Sequence, residues 1–327
     1  MASGQERILR RRIRSVQSTK KITRAMELIA ATRVIKAQAR AAAARPYSEQ
    51  ITAVIQDLAA AGAGRDQPLL RSVESVSKVA LIVITSDRGM AGAYNAQVIR
   101  AAERELNAIR SEGADYSLIL AGKKAASYFK FRNYRIDASF TGMSDTPRYE
   151  HAREVGSVAR EMFESGEVDL VQLVYTRFLS LGSQRAVVRR FMPLQAVAAD
   201  DHDGPQADYE YEPVPDEILS QLLPRYVEAR VFAAMLDAAA SEHAARQRAM
   251  KAATDNAEEL ITKLSVVANK LRQANITTEI MEIVGGAEAL RQAAPGGEVD
   301  LLPDTLVSRD IFRDRLDPML DSTGARR

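Results

Sequence analysis

The stretch whose residue types best suit ligand chemistry is TSDRGMAGAYN, residues 85–95. It follows a short β-branched run and precedes a helical pattern, which is where a doubly wound fold places a ligand loop. Its glycines could cradle a phosphate, but it has neither the GxGxxG pattern nor the GK[ST] spacing of a phosphate loop. We interpret it as a tight turn that lets a strand and a helix pack closely, and we expect no cofactor.

The histidines and acidic residues form no recognisable metal or catalytic pattern. His151, His202 and His243 are scattered, without HExxH or paired spacing, which argues against a metal site. The acidic run at 200–203 lacks the EF-hand glycine and glutamate and is interpreted as a solvated loop. The chain has no cysteine, which excludes disulfides, thiolate metal ligands and a thiol nucleophile. No catalytic, cofactor-binding or metal-binding residue is predicted.

The elements around this stretch are set by the distribution of helix breakers. Residues 5–61 contain no glycine and only Pro46, and residues 225–284 contain neither glycine nor proline. We predict an N-terminal helix over 1–60 and a C-terminal helix over 213–285. A sixty-residue helix is roughly 90 Å long, more than the width of a compact domain. Each helix therefore needs a partner along its length, and we expect the two to pack antiparallel.

Apolar residues in both helices recur with the i, i+4, i+7 spacing of helices that coil around each other. The phase of this spacing shifts from block to block, so we expect an irregular coiled coil. The predicted seams are Leu9, Ile13 and Val16; Ile22, Met26 and Ile29; Leu260, Leu264, Val267 and Leu271; and Ile276, Ile280 and Ile283.

The middle of the chain has a different pattern, in which short β-branched runs alternate with helical stretches. This alternation predicts a mostly parallel, three-layer α/β (Rossmann-like) domain over 75–200. An acidic, proline-rich loop follows it, and breakers after Gly285 predict a weakly structured tail over 286–327. The predicted strands are 79–85, 117–122, 168–176 and 185–194, and the predicted helices are 93–111, 123–130 and 149–165.

The net charge of +2 hides a strongly basic N-terminal segment. Residues 1–45 carry twelve Arg or Lys against Glu6 and Glu27, which suits a polyanion, an anionic membrane surface or an acidic protein. Two classes of function follow: a basic coiled-coil nucleic-acid-binding protein, or a mechanical or structural subunit whose coil inserts into a partner. Residues 1–45 contain no aromatic residue for stacking on bases. Only the second class explains the length of the helices.

A family resemblance becomes specific at IRSVQSTKKITRAMELIA, residues 13–30. This segment resembles the N-terminal helix of the gamma subunit of F-type ATP synthases, I-x-S-V-x-x-T-x-K-I-T-x-A-M-x-x-[IV]-A. Matches follow in the family's order at 86–95, 225–261 and 269–290, so the resemblance spans about residues 1–290.

The sequence departs from the family pattern in three places. Met90 and Ala91 stand where family members often have Leu-Cys, and the cysteine-bearing regulatory insert of chloroplast members is absent. Redox switching is therefore not expected. The chain also continues past Leu290, near the point where many members stop.

The resemblance implies a shaft of two helices inside a ring of alternating alpha and beta subunits, with the α/β domain against epsilon and the c ring. By this resemblance the chain is not an enzyme by itself, but a non-catalytic subunit of an H+-transporting two-sector ATPase whose ATP chemistry occurs on beta. It would lie peripherally on the cytoplasmic side of the cell membrane, attached only through the complex, and would bind no nucleic acid. A rotating shaft is expected to expose few large apolar residues, and its basic helix to face acidic segments of beta.

The resemblance also implies two sets of partner contacts. The alternatives that remain open are the coil core for Met26, a solvated helix face for Arg272 and Gln273, and a disordered acidic linker for the c-ring and epsilon contacts. The implied contacts are Met26, Arg272, Gln273, Thr277 and Glu279 for the beta subunits, and Tyr209, Glu210, Tyr211 and Glu212 for the c ring and epsilon.

Overall fold

The computed structural model divides into two compact units, residues 14–261 and the two chain ends, 1–13 with 262–327. The first unit holds a five-stranded sheet and most of two long helices. The structure describes residues 2–60, 63–64, 67–71, 73, 75–194 and 211–293.

The two long helices are α1, Ala2–Ala60, and α5, Pro215–Ala293. Helix α1 lies where the sequence predicts a helix over 1–60, whereas the predicted end of the second helix at residue 285 is wrong. Helix α5 continues through Gly285 and Gly286, because glycine weakens a helix by only about 1 kcal/mol and keeps its backbone N–H donor. Among the described helices, none combines the length and the apolar character needed to cross a membrane.

A mixed sheet forms the centre of the α/β domain, with strand order β3-β2-β1-β4-β5. Neighbouring strands pair in parallel except β4 and β5, which are antiparallel. The four predicted strands are confirmed within two residues at each end, whereas the three-residue β3 was not predicted. The strands are β1, Lys78–Ile84; β2, Asp115–Ala121; β3, Ala138–Phe140; β4, Leu170–Phe178; and β5, Gln184–Met192.

Alternating side chains of β1 place helices on both faces of the sheet. Val79, Leu81 and Val83 are buried with residues of α2 and α3, whereas Ala80 and Ile82 are buried with residues of α4, α1 and α5. The predicted three-layer arrangement is thus confirmed. These helices are α2, Tyr94–Ser111; α3, Lys123–Phe131; and α4, Tyr149–Glu164.

The second layer of helices is shared between the domain and the coil. Helix α4 approaches α5 closely at Gly156, where an added Cβ would lie 3.7 Å from Cγ1 of Val227. Leu58 of α1 and Val231 of α5 are completely buried in the same apolar cluster. The part of the coil that contains Leu58 and Val231 therefore belongs to the core of the α/β domain.

Candidate partner-binding surfaces and polar network

The two long helices run antiparallel within residues 14–261. Oγ1 of Thr23 lies 2.8 Å from Oγ1 of Thr254, and Nζ of Lys20 lies 3.0 Å from a carboxylate oxygen of Glu258. A step of three residues back along α1, from Thr23 to Lys20, thus corresponds to a step of four residues forward along α5, from Thr254 to Glu258. The predicted antiparallel pairing is confirmed.

The seam of the coil is regular, and it differs from the predicted one. From Val16 to Leu58 sheltered side chains alternate at intervals of four and three residues, the 3.5-residue period of a left-handed coiled coil. All buried side chains that the structure describes in α1 fall on this alternation. They are Thr23, Glu27, Ala30, Val34, Ala37, Ile51 and Leu58.

The predicted seam through Ile22, Met26 and Ile29 is wrong by one residue. Ile22 and Ile29 are 58% and 54% exposed, and their neighbours Thr23 and Ala30 are buried instead. Small and hydroxylated side chains let the two backbones approach, whereas two rows of isoleucine would hold them apart. The expected phase shift of the coil is therefore absent between Val16 and Leu58.

The same correction applies to α5. Leu260 is 37% exposed and Val267 is 46% exposed, while Met250, Thr254 and Ala257 are buried. Ile276, Ile280 and Ile283, predicted to form another seam, are 48%, 53% and 72% exposed. The predicted positions Leu9, Ile13, Leu264 and Leu271 are half-buried, in agreement with the prediction.

Large apolar side chains line the outside of α1, contrary to the expectation for a freely turning shaft. Ile22 and Ile29 lie seven residues apart, as do Leu28 and Ile35, and all four are more than half exposed. Met26 is half-buried between this surface and the seam. Because monomeric proteins rarely leave such groups uncovered, the row of Ile22 and Ile29, here called the outer stripe, is a candidate surface for a protein partner.

The predicted contacts on α5 all lie on its surface. Arg272, Gln273, Thr277 and Glu279 are exposed, and the Thr277 hydroxyl donates a hydrogen bond to the Gln273 carbonyl oxygen, 2.9 Å away. Helical spacing places Arg272 and Glu279 on one face and Gln273 and Thr277 on the adjacent one. These polar groups alternate with exposed apolar side chains, including Ile276 and Ile280 among others.

Half of the contacts predicted for the c ring and epsilon lie within the described chain. Tyr209 and Glu210 fall outside the described residues. Tyr211 is partly buried against the apolar cluster of the domain, and Glu212 is exposed. Tyr211 is therefore packed rather than free in solvent, which does not fit the alternative of a disordered acidic linker at that position.

The loop 85–95 binds its own neighbours. The Asp87 carboxylate accepts hydrogen bonds from the backbone N–H groups of Lys123 and Ser144, 3.0 Å away in each case. Lys123 is the first residue of α3, so Asp87 occupies the anion-binding end of that helix. An added Cβ at Gly122 would lie 2.2 Å from the carbonyl oxygen of Thr85, which explains why glycine stands there. This geometry agrees with a structural turn.

The electrostatics of Asp87 support the same interpretation. Burial alone would raise the pKa of its carboxyl group. Hydrogen bonds from the backbone N–H groups of Ser144, Gly142 and Lys123 outweigh that effect and hold the pKa below its ordinary value. Asp87 thus carries a negative charge at neutral pH and ties the loop to the segment before α4.

A buried polar network, which was not predicted, lies beside this loop. Glu242, His243 and Arg246 of α5 are 1%, 1% and 7% exposed. Arg246 donates a 2.6 Å hydrogen bond to Glu242, and the Arg33 guanidinium of α1 donates to the Asp145 carboxylate. A signal was present in SEHAARQ, because charged residues in an alanine-rich, buried helix must find internal partners.

Three potential metal ligands meet in this network. Ligand atoms of Asp145, Glu242 and His243 all lie within 4.8 Å of one another. However, Arg33 and Arg246 already bind the two carboxylates, and their positive charges oppose a cation at the same point. The arrangement therefore fits an internal ionic network better than a metal centre.

The pKa shifts within the network follow from burial and pairing. Burial raises the pKa of Glu242 despite Arg246, and burial lowers the pKa of His243. Burial alone would raise the pKa of Asp145, but the hydrogen bond and the positive charge of Arg33 outweigh that effect and lower the pKa. His243 is therefore neutral at neutral pH. Its Nε2–H donates to the Asp145 carbonyl oxygen 3.2 Å away, and Nδ1 accepts from Arg246 at 3.3 Å.

The fold and these surfaces define a chain of two long helices, paired antiparallel within residues 14–261, whose coil shares a core with an α/β domain. A family model described as ATP synthase matches residues 5–290. Curated proteins named ATP synthase gamma chain are similar along nearly their whole length. The one from Frankia casuarinae is 48% identical over 88% of this chain and 98% of its own, and the one from Thermobifida fusca is 46% identical over 90% and 99%.

Solved structures show the same fold at lower identity. A chain of the Euglena gracilis mitochondrial ATP synthase, from a structure of OSCP, F1 and the c-ring, aligns with a TM-score of 0.62 and 17% identity. The alignment covers 92% of this chain and 99% of that one. A chain of the Tetrahymena thermophila mitochondrial ATP synthase central stalk and c-ring gives 0.52 and 21%, over 71% and 99%. The chain belongs to the ATP synthase gamma-chain family.

Proposed function

We propose that this chain is the central-stalk rotor subunit of a proton-translocating F-type ATP synthase. It couples rotation of the c ring to the conformational cycle of the catalytic beta subunits, which make ATP from ADP and phosphate. The observation that carries the proposal is that, in a chain of the gamma family, the two-helix coil near Leu58 and Val231 shares a core with the α/β domain. Such a joint holds the domain against the coil.

The chain itself contributes no catalytic group in this proposal. The loop that follows β1 holds Asp87 at the anion-binding end of α3, where a phosphate would otherwise bind. Nucleotide chemistry then belongs to the beta subunits, and this chain determines which of their sites is open at each rotary position.

The exposed surfaces of α1 and α5 are proposed to face the ring of alpha and beta subunits. Exposed Ile22 and Ile29, with Met26 beside them, supply apolar contact, and Arg272, Gln273, Thr277 and Glu279 supply polar contact. The basic helix is less free to face acidic loops than its composition suggests. Lys20 pairs with Glu258, and Arg33 pairs with Asp145 inside this chain.

The base of the molecule is proposed to meet the c ring and epsilon, near Tyr209, Glu210, Tyr211 and Glu212. This places the chain peripherally at the cytoplasmic side of the cell membrane, held there through the complex. The shaft then consists of 1–60 and of the helix from residue 215 to residue 293, and the globular domain covers 75–200. The predicted tail beyond residue 293 lies outside the described residues.

Co-purification tests the proposal. Affinity-tagged chain, expressed in its own host, should bring down alpha and beta subunits in excess of itself, together with ATP hydrolysis that the isolated chain lacks. Turnover by the isolated chain at the rate of the complex would contradict the non-catalytic role. Recovery with DNA or RNA in place of alpha and beta, with a steep salt dependence, would favour the nucleic-acid-binding alternative.

A further inference from the structure

The α/β domain joins the coil through two kinds of contact. In the first, Leu58 of α1 and Leu219, Val227 and Val231 of α5 are buried in one apolar cluster with the sheet. Apolar burial is non-directional, so it resists separation of two surfaces more than it resists twisting between them. A subunit that transmits torque also needs contacts that fix the angle between domain and coil.

The second kind of contact is directional and lies further along α5, at residues 242–246. Charge-assisted hydrogen bonds have preferred angles and distances, and arginine can bind through several donors in one plane. Arg246 uses this property: it donates to Glu242 at 2.6 Å and to the Gly89 carbonyl oxygen at 3.4 Å. It thereby connects α5 with the loop that follows β1.

Asp145 connects the opposite side of the network. Its carboxylate accepts a hydrogen bond from Arg33 of α1 and lies 3.7 Å from Arg88 of the loop after β1. Its backbone carbonyl oxygen accepts from His243 of α5. One residue of the segment before α4 therefore contacts both helices of the coil and a second loop of the domain.

We propose that Arg33, Asp145, Glu242, His243, Arg246 and the Gly89 carbonyl form a torsional pin that fixes the rotary angle between the α/β domain and the coil. The proposal rests on the proposed function, because a pin of this kind has a role only in a chain that transmits torque. The pin acts under load, when the c ring turns the α/β domain and the catalytic ring resists rotation of the coil. Without load, the apolar cluster alone holds the parts together.

Burial makes this network suited to such a role. The polar side chains of α5 in it are less than a tenth exposed, so water does not compete effectively for their hydrogen bonds. Any twist of the domain that broke them would leave buried charges without partners, which is strongly unfavourable. The network therefore has one favoured arrangement, and the domain has one favoured angle.

The test uses the complete ATP synthase in inverted membrane vesicles, with ATP hydrolysis and ATP-driven proton pumping measured on the same sample. Arg33→Gln removes one arm of the pin from a side chain that is 39% exposed, so folding should survive. We expect hydrolysis to persist and protons pumped per ATP to fall roughly two- to fivefold, as suits loss of a partly exposed ion pair. Arg33→Lys, which keeps the charge, should lose less.

Arg153→Gln is the matched control, because it makes the same substitution at an exposed position of α4. Its guanidinium has no ion-pair partner within the part of the chain that the structure describes. The ratio of protons pumped to ATP hydrolysed should match the wild type in this control.

A covalent replacement for the pin makes the test reversible. An added Cβ at Gly92 would lie 3.6 Å from Cβ of Ala249, within the usual range for a disulfide, and the chain has no other cysteine. Gly92→Cys with Ala249→Cys therefore links the loop after β1 to α5 beside the network. The φ of Gly92 is +56°, which strains any side chain there, so Gly92→Cys alone is measured beside the pair as the control for that strain. In the Arg33→Gln background, oxidation should restore pumping per ATP, and subsequent reduction should abolish the gain.

The possible results separate the two proposals. An unchanged ratio in Arg33→Gln, failure of that variant to assemble, or a lowered ratio that the disulfide does not restore would each overturn the pin. A wild-type chain that does not assemble with alpha and beta subunits would instead refute the proposed function, and the pin with it.

Discussion

Thr23 and Thr254 lie 231 positions apart in the sequence, and their hydroxyl oxygens are 2.8 Å apart inside the coil. Within its own helix, the Thr23 hydroxyl also donates to the Lys20 carbonyl oxygen, and the Thr254 hydroxyl lies within hydrogen-bond distance of the Met250 carbonyl oxygen. If one helix slid along the other, the hydrogen bond between the two hydroxyls would be lost, which would lower the stability of the coil. The pair therefore sets the register of α1 against α5.

A double-mutant cycle on this pair should show strong coupling. Thr23→Val or Thr254→Val alone should lower the free energy of unfolding by about 1 kcal/mol, because the remaining hydroxyl keeps the carbonyl of its own helix but loses its hydrogen bond across the coil. Replacing both should cost less than the sum of the single changes, since the one hydrogen bond between the two hydroxyls can be lost only once. Urea unfolding of the full chain measures all three values, and strictly additive losses would show that the hydroxyls do not interact.

A second prediction separates the seam from the outer stripe. Ala30 is 1% exposed and Ile29 is 54% exposed, although they are adjacent. Ala30→Leu should destabilise the chain by about 1–3 kcal/mol, because the closely spaced helices have no room for a larger side chain. Ile29→Ala should change stability by less than about 0.5 kcal/mol.

In the complete complex the order should reverse. Ile29→Ala should weaken retention of the chain by alpha and beta subunits in co-purification, because it removes part of the apolar stripe that we propose faces them. Equal stability losses for the two variants would mean that the assignment of seam and surface is mistaken.

The helices show why apolar spacing alone misplaced the seam. The spacing correctly indicated two long, antiparallel helices, because any coiled helix with a partner carries periodic apolar residues. It could not distinguish a face that meets the other helix from an exposed face that also carries apolar residues. The spacing therefore places Ile22 and Ile29 in the seam, whereas the structure has the small or polar Thr23, Glu27 and Ala30 there.

The α/β domain was more predictable, because strands buried on both faces are nearly all apolar and stand out from the helices around them. The three-residue β3 was missed because so short a segment carries no measurable period. The network around Asp145 and His243 could not be foreseen, since it joins two helices and two loops that are distant in sequence. Only the presence of charge in an alanine-rich helix pointed to it.

A third prediction concerns the polar positions near the end of α5. Arg272 and Gln273 are exposed, and their side chains make no hydrogen bond or ion pair among the described residues. Arg272→Ala with Gln273→Ala should therefore leave the stability of the isolated chain within about 0.5 kcal/mol of the wild type. In the complete complex, the same double variant should reduce ATP-driven proton pumping or assembly.

Lys270→Ala is a suitable control for that variant, since Lys270 is exposed on the same helix and outside the proposed contact set. Proton pumping and assembly that match the wild type in the double variant would assign Arg272 and Gln273 to ordinary helix surface. A loss of stability in the isolated chain would point to a structural role instead.

A fourth prediction uses the pH dependence of a carboxyl group between the coil and the sheet. Burial raises the pKa of Asp237 to about 6, although Arg177, Arg189 and Arg45 act to lower it. Since the unfolded pKa is near 3.8, folding disfavours the charged form. The resulting penalty is complete above the folded pKa, diminishes as the pH falls from about 6 towards 3.8, and vanishes below that value.

Asp237→Asn removes the charge and should therefore stabilise the chain at neutral pH. The gain should be about 2 kcal/mol at pH 8, somewhat less than the shift alone implies, because the site is not fully buried. It should decline through the window between pH 6 and pH 4, where the wild-type carboxyl becomes protonated in the folded chain. Urea unfolding at a series of pH values gives this profile directly, and Asp255→Asn, an exposed position of the same helix, should show no comparable gain. If Asp237→Asn instead destabilises the chain at pH 8, attraction to the three arginines exceeds the cost of burial, and the direction of the pKa shift is reversed.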